Sequence, residues 1–309
     1  MRLCLSSVIR RQSLVRSTAG VIDRKKRSVY TATMKTTIVK IYTENSEFQS
    51  IETLRRNRTK REKSREFFVE GVRAINQALQ NRWPIDALIF SRDTRLSDWA
   101  EGVIEKSTAK KHFELPLQLL QKLSQKEEAS ELLALVAMPP DDLARIPERE
   151  NTLVVVLDRP SSPGNIGAII RSCDALQADG LIITGHSADL YDPETIRATV
   201  GSFFCVPAVR LPSHKELIPW LDGLKQRSGG LQVIGTSSKA STPIQDHDFT
   251  APTVLLIGSE AHGLSENYRL LCNAMVTIPM FGSASSLNVA CATSILLYEV
   301  ARQRRQFAE

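Results

Sequence analysis

The sequence lacks the patterns that mark metal sites and disulfide frameworks. Its 309 residues include five cysteines, and no two of them form a C-x-x-C pair. The five histidines are scattered, and none has a spacing from cysteine that is typical of a zinc site. We therefore predict no metal ion, and we interpret the cysteines as small buried thiols of a protein in a reducing compartment.

The sequence also lacks any run of 18 uncharged apolar residues, so we predict no membrane span. Hydrophobic residues make up 42% of the chain and charged residues 24%, which is an ordinary globular composition. A chain of this length suits two domains, each large enough to bury a core.

Acidic residues are nearly absent from the N-terminus, whose net charge of +7 exceeds the +6 of the whole chain. Residues 1–34 contain eight Lys or Arg and one Asp, and they are rich in serine. This composition is typical of a mitochondrial transit peptide. The alternative, which we favour, is that translation starts at Met34. We predict that residues 1–46 are a disordered basic extension, and that the protein is cytoplasmic, or mitochondrial if residues 1–33 are a transit peptide.

From residue 47 onward, strand patterns alternate with helix patterns, which is typical of α/β proteins. We predict a small α/β domain at 47–138 and a proline-rich, charged linker at 139–150. The alternation then restarts with "TLVVVLD" (152–158), an apolar run typical of a strand that is buried on both faces. We predict a second domain at 151–309 with a mostly parallel sheet covered by helices.

Polar residues follow three of the predicted strands of the second domain. Parallel sheets bind ligands beyond the carboxyl ends of their strands, so these residues are candidates for a site. Asn165 and Arg171 lie on the helix after the first strand, and Glu260 directly follows a later strand. The last strand leads into a loop of small residues, after which we predict that Ser286 caps a helix and that Asn288 points into the same space.

Nucleophile–base patterns such as Cys–His or Ser–His–Asp are missing from these loops. The set of Asn, Arg, Glu and Ser suits a group transfer in which a bound cofactor supplies the reactivity and the protein orients it.

Three motifs at these positions resemble the SpoU/TrmH family of RNA ribose 2′-O-methyltransferases, within the SPOUT superfamily. They are "NIGAIIR" (165–171), "GSEAHG" (258–263) and "IPMFGSASSLNVACA" (278–292), in this order and each behind a strand. The resemblance covers residues 152–306. A weaker resemblance, in "FFVEGVRAINQAL", is to the small substrate-binding domain of the same family.

The resemblance implies a C-terminal domain with a trefoil knot, a bound S-adenosylmethionine, and a homodimer with the active site near the subunit interface. It implies a catalytic set and a cofactor-binding set. The catalytic set is Asn165, Arg171, Glu260, Ser286 and Asn288; the cofactor-binding set is Thr236, Gly258, Ile278, Met280 and Leu287.

A basic run at 55–65 contains seven Lys or Arg and one Glu, and we predict that it forms a helix. Such a run is either a solvated helix face or a surface for RNA phosphates, and the resemblance favours RNA. The predicted RNA-binding residues are Arg55, Arg56, Arg58, Lys60, Arg61 and Lys63.

The function that follows is methylation of a ribose 2′-hydroxyl in structured RNA, with ribosomal RNA favoured over transfer RNA. A non-catalytic RNA-binding protein and a base methyltransferase are the alternatives.

Overall fold

The computed structural model describes residues 36–124 and 126–306. The first part of this chain is a five-stranded mixed sheet with helices on both faces. Its elements are β1 (Thr37–Lys40), α1 (Ser46–Arg56), α2 (Arg58–Ser64), β2 (Glu66–Glu70), α3 (Val72–Gln80), β3 (Ile85–Phe90), α4 (Asp98–Lys106), β4 (Lys111–Glu114), α5 (Leu117–Leu123) and β5 (Leu132–Ala137).

Strand β1 lies at one edge of this sheet, whose order is β1-β4-β3-β5-β2. It pairs in parallel with β4, Thr37 opposite Lys111, and Ile41 directly after it is buried. The prediction of disorder is therefore wrong for the segment that begins at Thr37. Residues 1–35, which carry the rest of that prediction, lie outside the described residues.

The basic run does not form one helix. Asn57 ends α1 and begins α2: its N–H donates to the Thr53 carbonyl, and its side chain accepts a hydrogen bond from the N–H of Lys60 at 3.0 Å. Asparagine is among the strongest N-cap residues, which explains why a helical pattern breaks there. The cations of the run are consequently divided between two helices.

The second part of the chain is a seven-stranded sheet in which every pair of strands is parallel. The elements are β6 (Leu153–Asp158), α6 (Pro163–Ala175), β7 (Gly180–Thr184), α7 (Pro193–Ala198), β8 (Ala208–Leu211), α8 (His214–Ser228), β9 (Gln232–Thr236), β10 (Thr242–Pro243), β11 (Thr253–Ile257), α9 (Glu266–Arg269), β12 (Ala274–Thr277) and α10 (Val289–Gln306). Two of these elements are short: β10 has two residues and α9 has four.

The order β10-β12-β9-β11-β6-β7-β8 places β6 and β11 side by side in the interior of this sheet. Every residue of both strands is buried, as their uninterrupted apolar sequences predict. Helices α6 and α10 pack on one face and α8 on the other. The carboxyl ends of β6, β9, β11 and β12 therefore meet along one edge. Strand order does not define how the last segment is threaded, so the trefoil knot stays a prediction.

The predicted linker at 139–150 joins the two sheets but is packed onto the second one. Ile146 within it is buried and lies against Gly180 of β7, where an added Cβ would come within 2.9 Å of its side chain. Asp141 accepts hydrogen bonds from Arg210 of β8. The segment is thus anchored to the second sheet at two points.

An aromatic cluster fills the space between the two sheets. Phe67 of β2 and Trp83 contact Phe203 and Phe204, which follow α7, with ring centroids 5.3–6.3 Å apart. The indole N–H of Trp83 donates to the Phe204 carbonyl at 3.1 Å. The two halves of the chain thus share a core instead of meeting at a wet surface.

Arg61 of the basic run is buried at this junction and is only 1% exposed. Its guanidinium donates to Asp189 at 2.6 and 3.0 Å and to Asp192 at 3.4 Å. It also donates to the carbonyls of Leu54 and Arg55, both at 2.8 Å, which are free acceptors at the end of α1. All three of its nitrogens thus donate within the protein. The prediction that Arg61 binds RNA is wrong, because the side chain is a structural bridge.

We expect Arg61→Ala to lower the free energy of unfolding by about 3–5 kcal/mol, since it leaves the carboxylate of Asp189 buried without its cation. Equilibrium unfolding in urea measures this. The matched control is Arg56→Ala, from the same run, whose exposed side chain pairs with Glu52; it should change the free energy by less than about 0.5 kcal/mol. Equal effects of the two substitutions would contradict a structural role for Arg61.

Candidate active site

A cavity of about 480 Å³ opens at the sheet edge where β9, β11 and β12 end and α10 begins. This volume lies within the range of ligand sites in proteins. Eight residues predicted for the site line it: Thr236, Gly258, Glu260, Ile278, Met280, Ser286, Leu287 and Asn288. The five predicted cofactor-binding residues are all among them, so the second and third motifs do converge on one space.

The side chains of three motif residues form a chain of hydrogen bonds beside this cavity. The amide of Asn288 donates to the side-chain oxygen of Asn165 at 3.1 Å, and the amide of Asn165 donates to Glu260 at 3.0 Å. The other carboxylate oxygen of Glu260 accepts from the hydroxyl of Ser161 at 3.1 Å. One residue from each motif is thereby connected, although they are distant in sequence.

Ser161 belongs to this chain of hydrogen bonds, but the sequence did not predict it as a site residue. It lies in the loop "RPSSPGN" after β6, where neighbouring Ser162 caps α6 by accepting from the N–H of Asn165 at 3.3 Å. Two adjacent serines before a helix are a recognisable capping signal, but only the structure shows which of them caps and which binds Glu260.

The start of α10 differs from the prediction. Asn288, not Ser286, caps this helix: its side-chain oxygen accepts from the N–H of Ala290 at 2.8 Å and of Cys291 at 3.4 Å. Asn288 therefore uses its oxygen to begin the helix and its amide to hold Asn165. Ser286 stays outside the helix and lines the cavity, so the prediction that it is the cap is wrong.

Burial alone would raise the pKa of Glu260, but hydrogen bonds from Asn165 and Ser161 outweigh it and hold that pKa below its usual value. The carboxylate is consequently ionised at neutral pH. A depressed pKa contributes stability that is present above the pKa of the unfolded chain and is lost as the pH falls through the folded value. The link between the loops should therefore weaken only in acid.

The backbone conformation of the second motif requires glycine at both Gly258 and Gly263. A Cβ on Gly258 would lie 2.0 Å from the carbonyl carbon of Gly263, because the loop folds back on itself. Ser259 and Gly263 exchange two backbone hydrogen bonds, and Gly263 has φ +65°, a conformation that favours glycine. The turn brings Glu260 to the rim of the cavity.

The loop after β12 leaves its main chain open. In the described part of the chain, no backbone–backbone hydrogen bond involves an N–H or C=O of residues 279–287. Residues 281–287 are exposed, and Met280, Ser286 and Leu287 of this loop line the cavity. The main-chain groups of these three residues are therefore available to a ligand in the cavity.

Arg171 does not line this cavity. It is exposed on α6, six residues beyond Asn165, which rotates its side chain by about 240° from that of Asn165. The hydroxyl of the next residue, Ser172, lies 2.7 Å from that of Ser294 on α10. Exposed Cys291, Ile295 and Tyr298 form an apolar stripe on α10. Within one chain, the site therefore brings together four of its five predicted catalytic residues.

The other predicted RNA-binding residues differ in their exposure and in their hydrogen bonds within the protein. Arg55 is half-buried and donates to the carbonyls of Leu123 and Ser124, while Arg58 donates to the carbonyl of Ser187 at 2.8 Å. Arg56 and Lys63 are exposed, and Lys60 is half-buried.

Within residues 36–124 and 126–306, no three His, Cys, Asp or Glu side chains are grouped so that they could hold a metal ion. No helix among these residues has the length and apolar character that crossing a membrane requires.

Comparison with known proteins identifies both halves of the chain. Residues 152–298 match the model of the SpoU rRNA Methylase family, and residues 45–134 match the SpoU L30e-like domain. The chain is 46% identical over 266 residues to the 23S rRNA (uridine(2479)-2′-O)-methyltransferase of Streptomyces viridochromogenes, covering 86% of this chain and 92% of that protein. It belongs to the SpoU family.

Solved structures agree with this membership. The crystal structure of the SpoU methyltransferase AviRb from Streptomyces viridochromogenes with AdoMet has a TM-score of 0.79 and 47% identity, covering 84% of this chain and 98% of AviRb. An AdoMet-bound rRNA methyltransferase from Sinorhizobium meliloti has a TM-score of 0.76 and 30% identity, covering 86% and 98%. The predicted family, enzyme class and α/β fold with a C-terminal SPOUT domain are confirmed.

We expect Asn165→Ala to raise the pKa of Glu260 towards its usual value, because the amide that stabilises the ionised carboxylate is removed. Titration of the Glu260 side-chain carbon by NMR measures this shift. The internal control is Glu216, whose pKa is lowered by the side chain of Ser213 in a separate helix cap and should not change. An unchanged pKa of Glu260 would show that the chain of hydrogen bonds does not form in solution.

Proposed function

We propose that this SpoU enzyme transfers a methyl group from S-adenosylmethionine to a ribose 2′-hydroxyl of ribosomal RNA. The observation that carries the proposal is the hydrogen-bonded set Asn288–Asn165–Glu260 at the rim of the cavity, since it joins all three motifs at one point. Relatives named as 23S rRNA 2′-O-methyltransferases support ribosomal RNA as the substrate class. They include the Bacillus subtilis protein, 27% identical over 83% of this chain and 98% of its own.

The lining of the cavity suits this cofactor. Apolar side chains such as Ile257, Val276 and Leu296 provide walls for an adenine ring. The main-chain groups of Met280, Ser286 and Leu287, which make no backbone–backbone hydrogen bond within the described residues, provide donors and acceptors for its edge and for the ribose. The carboxylate of Glu260 lies at the rim, where an ionised side chain favours a positively charged group nearby. When bound, S-adenosylmethionine supplies an electrophilic methyl group on a sulfonium.

The protein then has to position a hydroxyl that is a poor nucleophile. Asn165 and Asn288 are fixed by their mutual hydrogen bond and by Glu260, so their remaining polar groups are preorganised beside the cavity. An arginine is fully protonated near neutral pH and is an unlikely free base, so Arg171 would bind phosphate and stabilise the developing alkoxide. Ser286 lines the cavity without capping the helix, which leaves its hydroxyl available to the ligand.

We expect Ala292→Phe to abolish binding of S-adenosylmethionine, because Ala292 lines the cavity and a phenyl ring would occupy it. Isothermal titration calorimetry measures the affinity. Ala301→Phe, on the same helix but outside the cavity lining, is the matched control and should bind normally. Unchanged affinity in Ala292→Phe, with a normal unfolding curve, would place the cofactor elsewhere.

We propose further that the enzyme is a homodimer and that Arg171 acts in the site of the partner subunit. The supporting observations are its exposed position on α6, away from the lining of its own cavity, and the apolar stripe of Cys291, Ile295 and Tyr298 on α10, which packs against α6. A two-fold contact through this stripe would bury it against its own copy. It would also carry each Arg171 across the interface.

A subunit-mixing experiment tests this arrangement. We expect Arg171→Ala and Asn288→Ala homodimers each to be inactive. Dimers formed from one subunit of each should recover activity, because one of their two sites then combines an intact Arg171 with an intact Asn288. Methyl transfer to RNA is measured after unfolding and refolding the two variants together. If Arg171 served its own subunit, every site in the mixed dimer would carry one defect, and no activity would return.

Transfer RNA is the second candidate substrate, because some relatives are named only as tRNA/rRNA methyltransferases, such as the Mycobacterium protein that is 37% identical over 54% of this chain. Mapping of 2′-O-methyl groups in RNA from cells with and without the gene separates the two. A site lost from ribosomal RNA alone would support the proposal; one lost from transfer RNA alone would overturn it.

A further inference from the structure

The loop after β7 lies between two arginines that come from different parts of the chain. Arg58 of α2 donates to the carbonyl of Ser187 at 2.8 Å. Arg159, which follows β6, lies across Gly185, where an added Cβ would come within 2.8 Å of its side chain. Exposed His186 is between these two contact points. Three basic side chains therefore border one short loop.

Arg159 is held in a defined position at this edge. It has φ +54°, which is unusual for a residue with a side chain, and it makes two hydrogen bonds to Asp158 at 2.8 and 3.1 Å. Asp158 is 1% exposed and also accepts from the N–H of Ser265 at 2.9 Å. Burial would raise the pKa of Asp158, but these hydrogen bonds outweigh it and keep the group ionised. The buried carboxylate thus fixes the base of an arginine whose side chain is 40% exposed.

This arginine is also close to the catalytic loops. Two residues after it, Ser161 binds Glu260, which binds Asn165. Going along the sheet edge from α2, the order is Arg58, His186, Arg159, and then the rim of the cavity. Nη1 of Arg159 makes no hydrogen bond within the described residues. It remains available to a ligand that lies on the edge.

The acidic groups near this edge are either buried and paired with arginine or lie towards α7. Asp158 is buried and paired with Arg159, and buried Asp189 is paired with Arg61. Asp192 shares Arg61 with Asp189 and is partly exposed, but it lies at the start of α7. On the other side of the β6 loop, exposed Glu194 approaches Gly164 at the start of α6 and would repel a phosphate there. The positive path therefore passes over β7 and not over α7.

We infer that the RNA backbone next to the methylated nucleotide runs along this edge, with its phosphates bound by Arg58, His186 and Arg159. Arginine binds phosphate through paired N–H donors, and a fixed guanidinium loses less entropy on binding. The inference rests on the proposed function and gives it a direction: the RNA passes from the small domain to the cavity across the loop after β7.

The experiment compares Arg58→Gln/Arg159→Gln and His186→Glu with Arg227→Gln. Arg227 is a matched control because it also forms an exposed two-bond pair, with Glu148, away from this edge. The probe is deproteinised ribosomal RNA from cells that lack the gene. Binding is titrated at several salt concentrations, and KM for RNA is measured alongside the affinity for S-adenosylmethionine.

We expect the double variant to raise KM for RNA at least about fivefold and to reduce the slope of log K against log salt by about one to two, as expected for the loss of one or two phosphate contacts. His186→Glu should weaken RNA binding, and it leaves the pair of Arg159 and Asp158 intact. It therefore tests whether RNA binds at this edge even if Arg159→Gln destabilises the fold. Affinity for S-adenosylmethionine should not change, and Arg227→Gln should behave as the natural sequence.

The inference is overturned if both the double variant and His186→Glu match Arg227→Gln in KM and in salt slope. Failure of the proposed function looks different: the unaltered protein would then transfer no methyl group to this RNA. In that case the salt slopes still decide whether the edge binds RNA backbone.

Discussion

The carboxylate of Glu260 is the interaction on which the site depends. Its two oxygens accept hydrogen bonds from Asn165 at the start of α6 and from Ser161 in the preceding loop, and Asn165 in turn holds Asn288. Three separate loops are fixed relative to one another by one ionised group. The parallel sheet makes this possible, because β6 and β11 are adjacent and their carboxyl ends meet at the same edge.

The elements of this edge could be predicted well from the sequence, and for a physical reason. Strands buried on both faces are continuous apolar runs, so the polar residue that follows such a run, such as Glu260, is conspicuous. The pattern could not predict which side chains hydrogen-bond to each other. Ser286 and Asn288 are equally good caps by composition, and only the backbone path after β12 decides that Asn288 begins the helix.

The basic run shows a second limit of sequence reasoning. Seven cations in eleven residues indicate a solvated or RNA-binding surface when they are considered by themselves. The partners that bury Arg61, however, are Asp189 and Asp192, which are far along the chain and carry no local signal. Conversely, Arg159 lies outside any basic run, and its position at the edge follows from a positive φ and a buried neighbour. Charge density in sequence is thus a poor guide to which cations remain free.

The burial of Arg61 also restricts how this protein could evolve. The arginine belongs to the small domain, its carboxylates belong to the methyltransferase domain, and its remaining donors cap α1. The aromatic cluster crosses the same boundary. A recombination event that joined this small domain to the catalytic domain of another relative would leave buried Arg61 without its carboxylates and would expose aromatic rings. The two halves should therefore be inherited as a pair, and changes in RNA target should arise by substitution on the exposed edge instead of by exchange of the whole domain.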